Sequence, residues 1–214
     1  DVTVSIKGKN APGAETEQVT IPAHGKYQYT KECQVENLVL WEGAHYDKDQ
    51  KDSEIGYRYQ VNVTVKDGGQ ILDEVSDKIG FRYFWIDSSN QGESGEGFFL
   101  NGKKFPLRGV NRHSFLAKVG SAMTEEQHAK DMEIMKELGV NAVRLCHYPQ
   151  TDYFYDLCDE NGIIVWTEIP VVNEIRNTDE FKKTTKQQLT ELISQQYNRP
   201  SVCFWGIENE IGNG

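Results

Sequence analysis

The fold class is multidomain, β plus α/β, with an antiparallel β-sandwich preceding a region of alternating strands and helices. Three observations predict it. Short period-2 segments separated by turn signals fill residues 1–83. A stretch rich in Ser, Gly, Asn and Glu, Asp87–Gly97, marks a boundary. Beyond it, apolar strands alternate with helical segments, and each strand ends in polar side chains. The expected division is 1–86 for the sandwich, 87–97 for a linker and 98–214 for the α/β part.

In the first part, Val2, Val4 and Ile6 alternate with Thr3, Ser5 and Lys7, the signal of a half-buried strand. Asn10–Gly13 is loop, alternation resumes over Thr16–Ile21, Pro22–Gly25 is a turn, and Lys26–Val35 reads as another strand. An apolar knot, Leu38–Trp41, precedes a polar loop over Glu42–Glu54. Tyr57–Val65 alternates, Asp67-Gly68-Gly69 is a hairpin turn, and Gln70–Ser76 pairs back. Phe81–Ile86 is a further strand, and the strands are too few for a complete sandwich.

After the boundary, Phe98–Pro106 is a hairpin with Asn101-Gly102 at its turn. Leu107–Asn111 is a short strand leading into Arg112-His113. Thr124 and Gln127 have capping-box spacing and open a helix through Leu138, with Met132, Met135 and Leu138 on one face. Asn141–Leu145 is a strand, Tyr153–Glu160 a helix, Ile163–Ile169 a strand and Asn177–Tyr197 a long polar helix. Asn198–Pro200 stops that helix, because proline cannot continue it. A last strand, Val202–Glu210, is apolar along its body and ends in Glu208-Asn209-Glu210.

Successive strands joined by helices form a parallel sheet, whose C-terminal tips all lie on one side. His113, Arg144 with His147, Glu168, and Glu208 with Glu210 therefore share the face where such sheets hold their active sites. Two kinds of site fit these residues. A metal centre could use His113, His147, Glu168 and Glu210, but no HxH or HExxH spacing supports it. A glycosidase needs one protonatable carboxyl and a second carboxylate, with Arg and His on sugar hydroxyls and tryptophan against the ring. Trp166 and Trp205 suit that role. Glu208 and Glu210 lie two residues apart, on one side of a strand, and the residues alone do not choose between them.

Composition narrows the class. The net charge of −10 lacks the basic stripe of a nucleic-acid surface. No apolar run reaches membrane-spanning length, and no basic-then-apolar leader opens the chain. Cys33, Cys146, Cys158 and Cys203 have no CxxC spacing and read as small core residues rather than ligands or disulfides. His24, His45 and His128 fall in loop or helix-surface contexts and receive no role. The chain begins inside a strand pattern and stops after the acidic tip, as a piece of a longer protein would.

Arg108-Gly109-Val110-Asn111-Arg112-His113 resembles the first barrel strand of glycoside hydrolase family 2. Asn141–Pro149 and Asn198–Glu210 resemble its two signature motifs. The similarity covers nearly the whole chain, with 1–83 similar to the immunoglobulin-like middle domain and about 96–214 to the first half of the (β/α)8 TIM barrel. It is strongest to the β-galactosidase branch, with β-glucuronidases and β-mannosidases as relatives.

The resemblance implies a retaining exo-β-glycosidase, most similar to those acting on terminal β-galactosides. Glu210 matches the general acid/base and Asn209 the residue that hydrogen-bonds the sugar 2-hydroxyl. Arg144, His147, His113 and Trp205 are the further substrate-binding candidates, and the nucleophilic glutamate belongs to a later strand. The rival readings are, for Arg144, a structural ion pair with Glu168 or Glu210 and, for His147, a hydrogen-bonded core position.

Two departures bear on this. The chain reads Thr167–Glu174 where the magnesium-binding bacterial β-galactosidase type has its Asp-Glu start and nearby ligands, so no metal and no cofactor are expected. Ser114-Phe115-Leu116 replaces a histidine-rich run after the first strand. The expected partner is a carbohydrate, with no nucleic acid and no membrane, and homo-oligomer formation by the intact protein is left open. A non-catalytic carbohydrate-binding module is the alternative if the polypeptide ends at Gly214.

Overall fold

The computed structural model describes residues 1–32, 34–46, 50–51, 55–88 and 96–212. Cys33, part of the Glu42–Glu54 loop and most of the Asp87–Gly97 boundary stretch lie outside the described residues. The chain divides into two units, Asp1–Leu40 with Tyr57–Phe81, and Trp41–Gly56 with Arg82–Gly214.

The first unit is built on one antiparallel sheet of β1 (Val2–Lys7), β2 (Gly13–Glu17), β3 (Tyr59–Asp67) and β4 (Gln70–Ile79), in the order β2-β1-β3-β4. Its register follows from two alternating apolar rows. Val2, Val4 and Ile6 pair with Val65, Val63 and Val61, so a one-residue slip would turn both rows to the opposite face. Buried Tyr59 ties in the irregular chain, its hydroxyl donating to the Lys9 carbonyl (3.0 Å) and accepting from the Val39 amide (2.9 Å). Two expectations fail here. The second strand is Gly13–Glu17 rather than Thr16–Ile21, because β1 pairs it through Gly13. Lys26–Val35 forms no strand among its described residues. Its alternation finds no ladder partner, and exposed Tyr27 donates to Glu17 instead (3.1 Å).

The second unit opens on a small antiparallel sheet of β5 (Phe84–Asp87), β6 (Gly97–Leu100) and β7 (Lys103–Lys104). The turn between β6 and β7 has positive φ at both Asn101 (50°) and Gly102 (85°), which is why an Asn-Gly pair serves it. Then follow β8 (Gly109–Arg112), α1 (Glu125–Glu137), β9 (Ala142–Leu145), α2 (Asp152–Asn161), β10 (Ile164–Glu168), α3 (Asp179–Gln196) and β11 (Val202–Gly206). The four strands are parallel neighbours in chain order, β8-β9-β10-β11, with a helix between each pair, as in consecutive repeats of a (β/α)8 barrel.

Alternation sorts their side chains. Val143, Leu145 and Val165 face the helices and pack with Met132, Met135, Phe154 and Cys158 in one buried cluster. Trp41, Phe98, Phe105, Ile164 and Cys203 form a second. Thr124 caps α1 with the expected box, its side chain accepting from the Gln127 amide while Gln127 accepts from the Thr124 amide. Leu138 is not part of the buried face. It is the C-cap residue and is 71% exposed, because each three-residue step falls about 60° short of a full turn and carries it about 120° round from Met132.

His128 is a further correction: it is buried rather than on a helix surface. Its Nδ1 faces Arg112 Nη2 at 2.8 Å, and arginine only donates, so the proton sits on Nε2. Burial holds its pKa below the ordinary 6.5, and the Arg112 charge adds to that. The unfolded chain therefore takes up a proton near pH 6.5 that the folded chain refuses. This contribution is complete above that pH and is lost progressively as pH falls from there towards the lower pKa of the folded state. Chemical denaturation at pH 7.5 and 5.5 is expected to show a larger loss for the natural chain than for His128→Gln.

Candidate active site

The parallel register sets the inner wall. Arg144 pairs in register with both Asn111 and Trp166, and Trp166 with Phe204. These four side chains line one cleft, where the Trp166 and Phe204 rings stack at 5.8 Å. Two residues further on, Glu168 lies in register with Gly206.

Glu168 is fully buried and is the hub of the site. Its Oε1 accepts from Arg144 Nη2 (2.9 Å) and lies 3.0 Å from His147 Nδ1. Its Oε2 accepts from Arg144 Nε (3.1 Å) and Trp166 Nε1 (2.9 Å). Four donors therefore occupy the roughly four acceptor positions of one carboxylate. His147 Nδ1 also lies 3.3 Å from Arg144 Nη2, but that nitrogen already donates to Glu168 and to Asn209. The imidazole Nδ1–H thus donates to Glu168, which orients the ring.

Gly206 is required by this hub. A Cβ there would lie 2.5 Å from Trp166 Nε1 and 2.8 Å from Glu168 Oε2, inside van der Waals contact. Gly206→Ala is expected to destabilise the protein by about 1–3 kcal/mol, read as a lowered thermal midpoint, because neither neighbour can withdraw without losing a buried hydrogen bond.

The acidic tip differs from the sequence expectation. The strand ends at Gly206, and Glu208-Asn209-Glu210 lies beyond it, so strand geometry does not govern the two glutamates. The segment after β10 now holds the chain. The Asn209 amide donates to the Val171 carbonyl (2.8 Å), and the Asn173 amide to the Asn209 carbonyl (3.1 Å). Asn209 is buried and its Oδ1 accepts from Arg144 Nη2 (2.7 Å), which fixes the amide orientation. Its Nδ2 is buried without a hydrogen-bond partner among the described residues. Glu210 follows with φ 51°, a left-handed conformation that few non-glycine residues adopt, and its side chain is exposed.

Of the expected substrate-binding residues, Arg144, His147 and Asn209 are brought together around Glu168. His113 is exposed, its ring edge-on to His147 with centroids 5.0 Å apart. Trp205 is not brought into the cluster. It is in register with buried Thr167 on the helix-facing side and packs on both adjoining apolar clusters. Glu208 is exposed and lines a separate hollow beside α3 with Phe181 and Ile211.

The signature stretches also contain scaffold. Arg199 bonds Asp159 (3.1 Å) and Asp156, and the Ser201 amide donates to Asp159 Oδ1 (3.1 Å), locking the start of β11 to α2. Burial raises the Asp159 pKa, while Ser201 and Arg199 hold it down. Arg112 turns away from the inner wall, pairs with Asp131 at 2.7 Å and stacks on Phe154.

A sequence model described as "Glycosyl hydrolases family 2, TIM barrel domain" matches residues 94–214, more than half the chain, and one described as "Glycosyl hydrolases family 2" matches 1–82. The chain belongs to glycosyl hydrolase family 2. A β-glucuronidase of Bacteroides fragilis is 43% identical over 179 residues, covering 80% of this chain and 24% of that protein. A β-galactosidase of Lactococcus lactis is 32% identical over 208 residues, covering 94% of this chain and 19% of that protein. A crystal structure of Parabacteroides merdae β-glucuronidase superposes with a TM-score of 0.83 at 34% identity, covering 99% of this chain and 26% of that one. The chain spans about a quarter of the length of the first curated relative it matches.

For a family 2 chain, the residues that sequence reasoning undervalued are Glu168, Trp166 and Gly206. A signal existed for the first two, since Trp166 and Glu168 are two apart on one strand and so share a face. The same parity, counted from Gly206, places Trp205 on the opposite face.

Proposed function

We propose that the intact protein is a retaining exo-β-glycosidase, with Glu210 as general acid/base and a nucleophilic carboxylate from a later strand. The observation that carries this reading is Asn209, whose side-chain Nδ2 has no partner among the described residues. Arg144 takes its oxygen, so the buried Nδ2–H2 group is left to donate, and a buried donor without a partner costs about 1–3 kcal/mol. A sugar hydroxyl at that point satisfies it, next in the chain to an exposed carboxylate. Trp166, stacked on Phe204, offers the apolar wall for the ring in place of Trp205. His147, oriented by Glu168, and His113 border the same region.

In the first step Glu210 protonates the glycosidic oxygen while the nucleophile attacks the anomeric carbon. In the second it removes a proton from water as water displaces the enzyme carboxylate. Terminal β-D-galactosides are the first substrate reading and β-D-glucuronides the second, the latter favoured by the name of the Bacteroides fragilis relative. A panel of nitrophenyl glycosides assayed with the full-length protein tests both. Hydrolysis of a β-galactoside or β-glucuronide, with the α-anomers untouched, is expected. Failure to hydrolyse any β-glycoside would favour the carbohydrate-binding alternative.

A further inference from the structure

His113, Cys146 and His147 stand at two adjacent strand tips, just after β8 and β9, with one ligand atom of each within 4.8 Å of the others. No metal-ligand motif announces the group, because His113 follows one strand while the adjacent pair Cys146-His147 follows the next. We propose that they form a binding site for a borderline-soft divalent cation of the Zn2+ type, with two imidazoles and one thiolate as ligands.

Donor chemistry selects the metal class. Nitrogen and sulfur donors suit Zn2+ and not Mg2+ or Ca2+, which take oxygen. The second shell is already built. Glu168 accepts from His147 Nδ1 (3.0 Å), leaving the Nε2 lone pair for a metal, in the carboxylate–histidine–zinc arrangement. Glu168 is itself held by Arg144 and Trp166, so the ring cannot turn without breaking a buried network. Tetrahedral Zn2+ with bonds of about 2.0–2.3 Å places its ligand atoms about 3.3–3.7 Å apart. The group must therefore contract by about 1 Å, and exposed His113 is the member with room to rotate.

Cys146 is buried, its Sγ lies 3.5 Å from the Arg144 carbonyl, and burial raises its pKa. It is a thiol until the metal arrives. Binding forms the Zn–S bond and releases the Cys146 proton to solvent, and the two imidazoles bind as neutral donors. The resulting unit carries one net positive charge, one residue away from the Glu168 carboxylate. The fourth coordination position is left for water or another ligand.

The proposed site shares His113 and His147 with the sugar-facing region, but its test reads absorption and not turnover, so the two readings fail separately. The purified full-length protein, kept reduced with a phosphine, is titrated with Co2+ at pH 7.5. A near-ultraviolet thiolate-to-Co2+ band saturating at one equivalent is expected, with tetrahedral visible absorption that added Zn2+ removes and added Mg2+ does not. Cys146→Ala should abolish the near-ultraviolet band, and His113→Ala, a change at an exposed position, should weaken binding at least tenfold. Cys33→Ser should leave both unchanged. Absence of the band in the natural chain, its survival in Cys146→Ala, unweakened binding in His113→Ala, or its loss in Cys33→Ser would overturn the assignment.

Discussion

Glu168→Ala is expected to destabilise the chain by about 3–5 kcal/mol, a large share of the 5–15 kcal/mol that keeps a typical protein folded. The loss is not that of one ion pair. Removing the carboxylate strands both donating edges of the Arg144 guanidinium, the Trp166 indole N–H and the His147 Nδ1–H, all of which converge on a fully buried group. Glu168→Gln retains the shape but replaces two acceptor positions with two donors, so it should recover little. Exchanging both charges together, as Arg144→Met with Glu168→Leu, should recover only the part due to the unpaired Arg144 charge, since the Trp166 N–H, the His147 Nδ1–H and the Asn209 Oδ1 still lose their partners. Denaturant unfolding of the single and double variants measures this. A loss below about 1 kcal/mol for Glu168→Ala would show that the network does not hold the strand tips together.

Local rules carried much of the architecture. The Thr124–Gln127 box, the Asn101-Gly102 turn and the paired valine rows of β1 and β3 each depend on neighbours in sequence or on a period of two, and a linear reading captures both. What escaped depends on partners distant in sequence. His128 sits on a helix of mostly polar residues, and its burial is explained by Arg112, 16 residues earlier, and by the Tyr153 and Phe154 rings, all distant in sequence. Lys26–Val35 alternates as well as a true strand but has no ladder to join. Glu208 and Glu210 share a parity that would align them on a strand, yet the strand stops at Gly206 and the Val172–Asn209 bridge takes over. Arg144, His147 and Glu168 were legible as candidates from the tip rule and Asn209 from the family resemblance, but that Glu168 holds both Arg144 and His147, and Arg144 holds Asn209, emerged only from the contacts. Trp205 shows the reverse error, since residue type alone favoured it while its register with Thr167 turns it toward the helices.

Glu210→Gln in the full-length protein carries the largest catalytic effect, an expected fall in turnover of about 10²–10⁴-fold with poor leaving groups. Glutamine matches the size of glutamate but neither gives a proton to the departing oxygen nor takes one from water. Asn209 and its Arg144 contact are untouched by the change, so substrate binding should be retained and the loss should fall on kcat. Glu208→Gln, at an exposed residue facing the α3 hollow, should leave turnover near the natural level.

Azide rescue of Glu210→Gln separates a proton-transfer role from a structural one. Azide attacks a glycosyl-enzyme without needing a base, so an activated nitrophenyl β-glycoside should regain turnover as azide is added and yield the β-glycosyl azide, the stereochemistry of double displacement. That product, from Glu210→Gln and not from the natural enzyme, is the predicted result. Unchanged activity in Glu210→Gln, or inactivity that azide does not relieve, would contradict Glu210 as the acid/base.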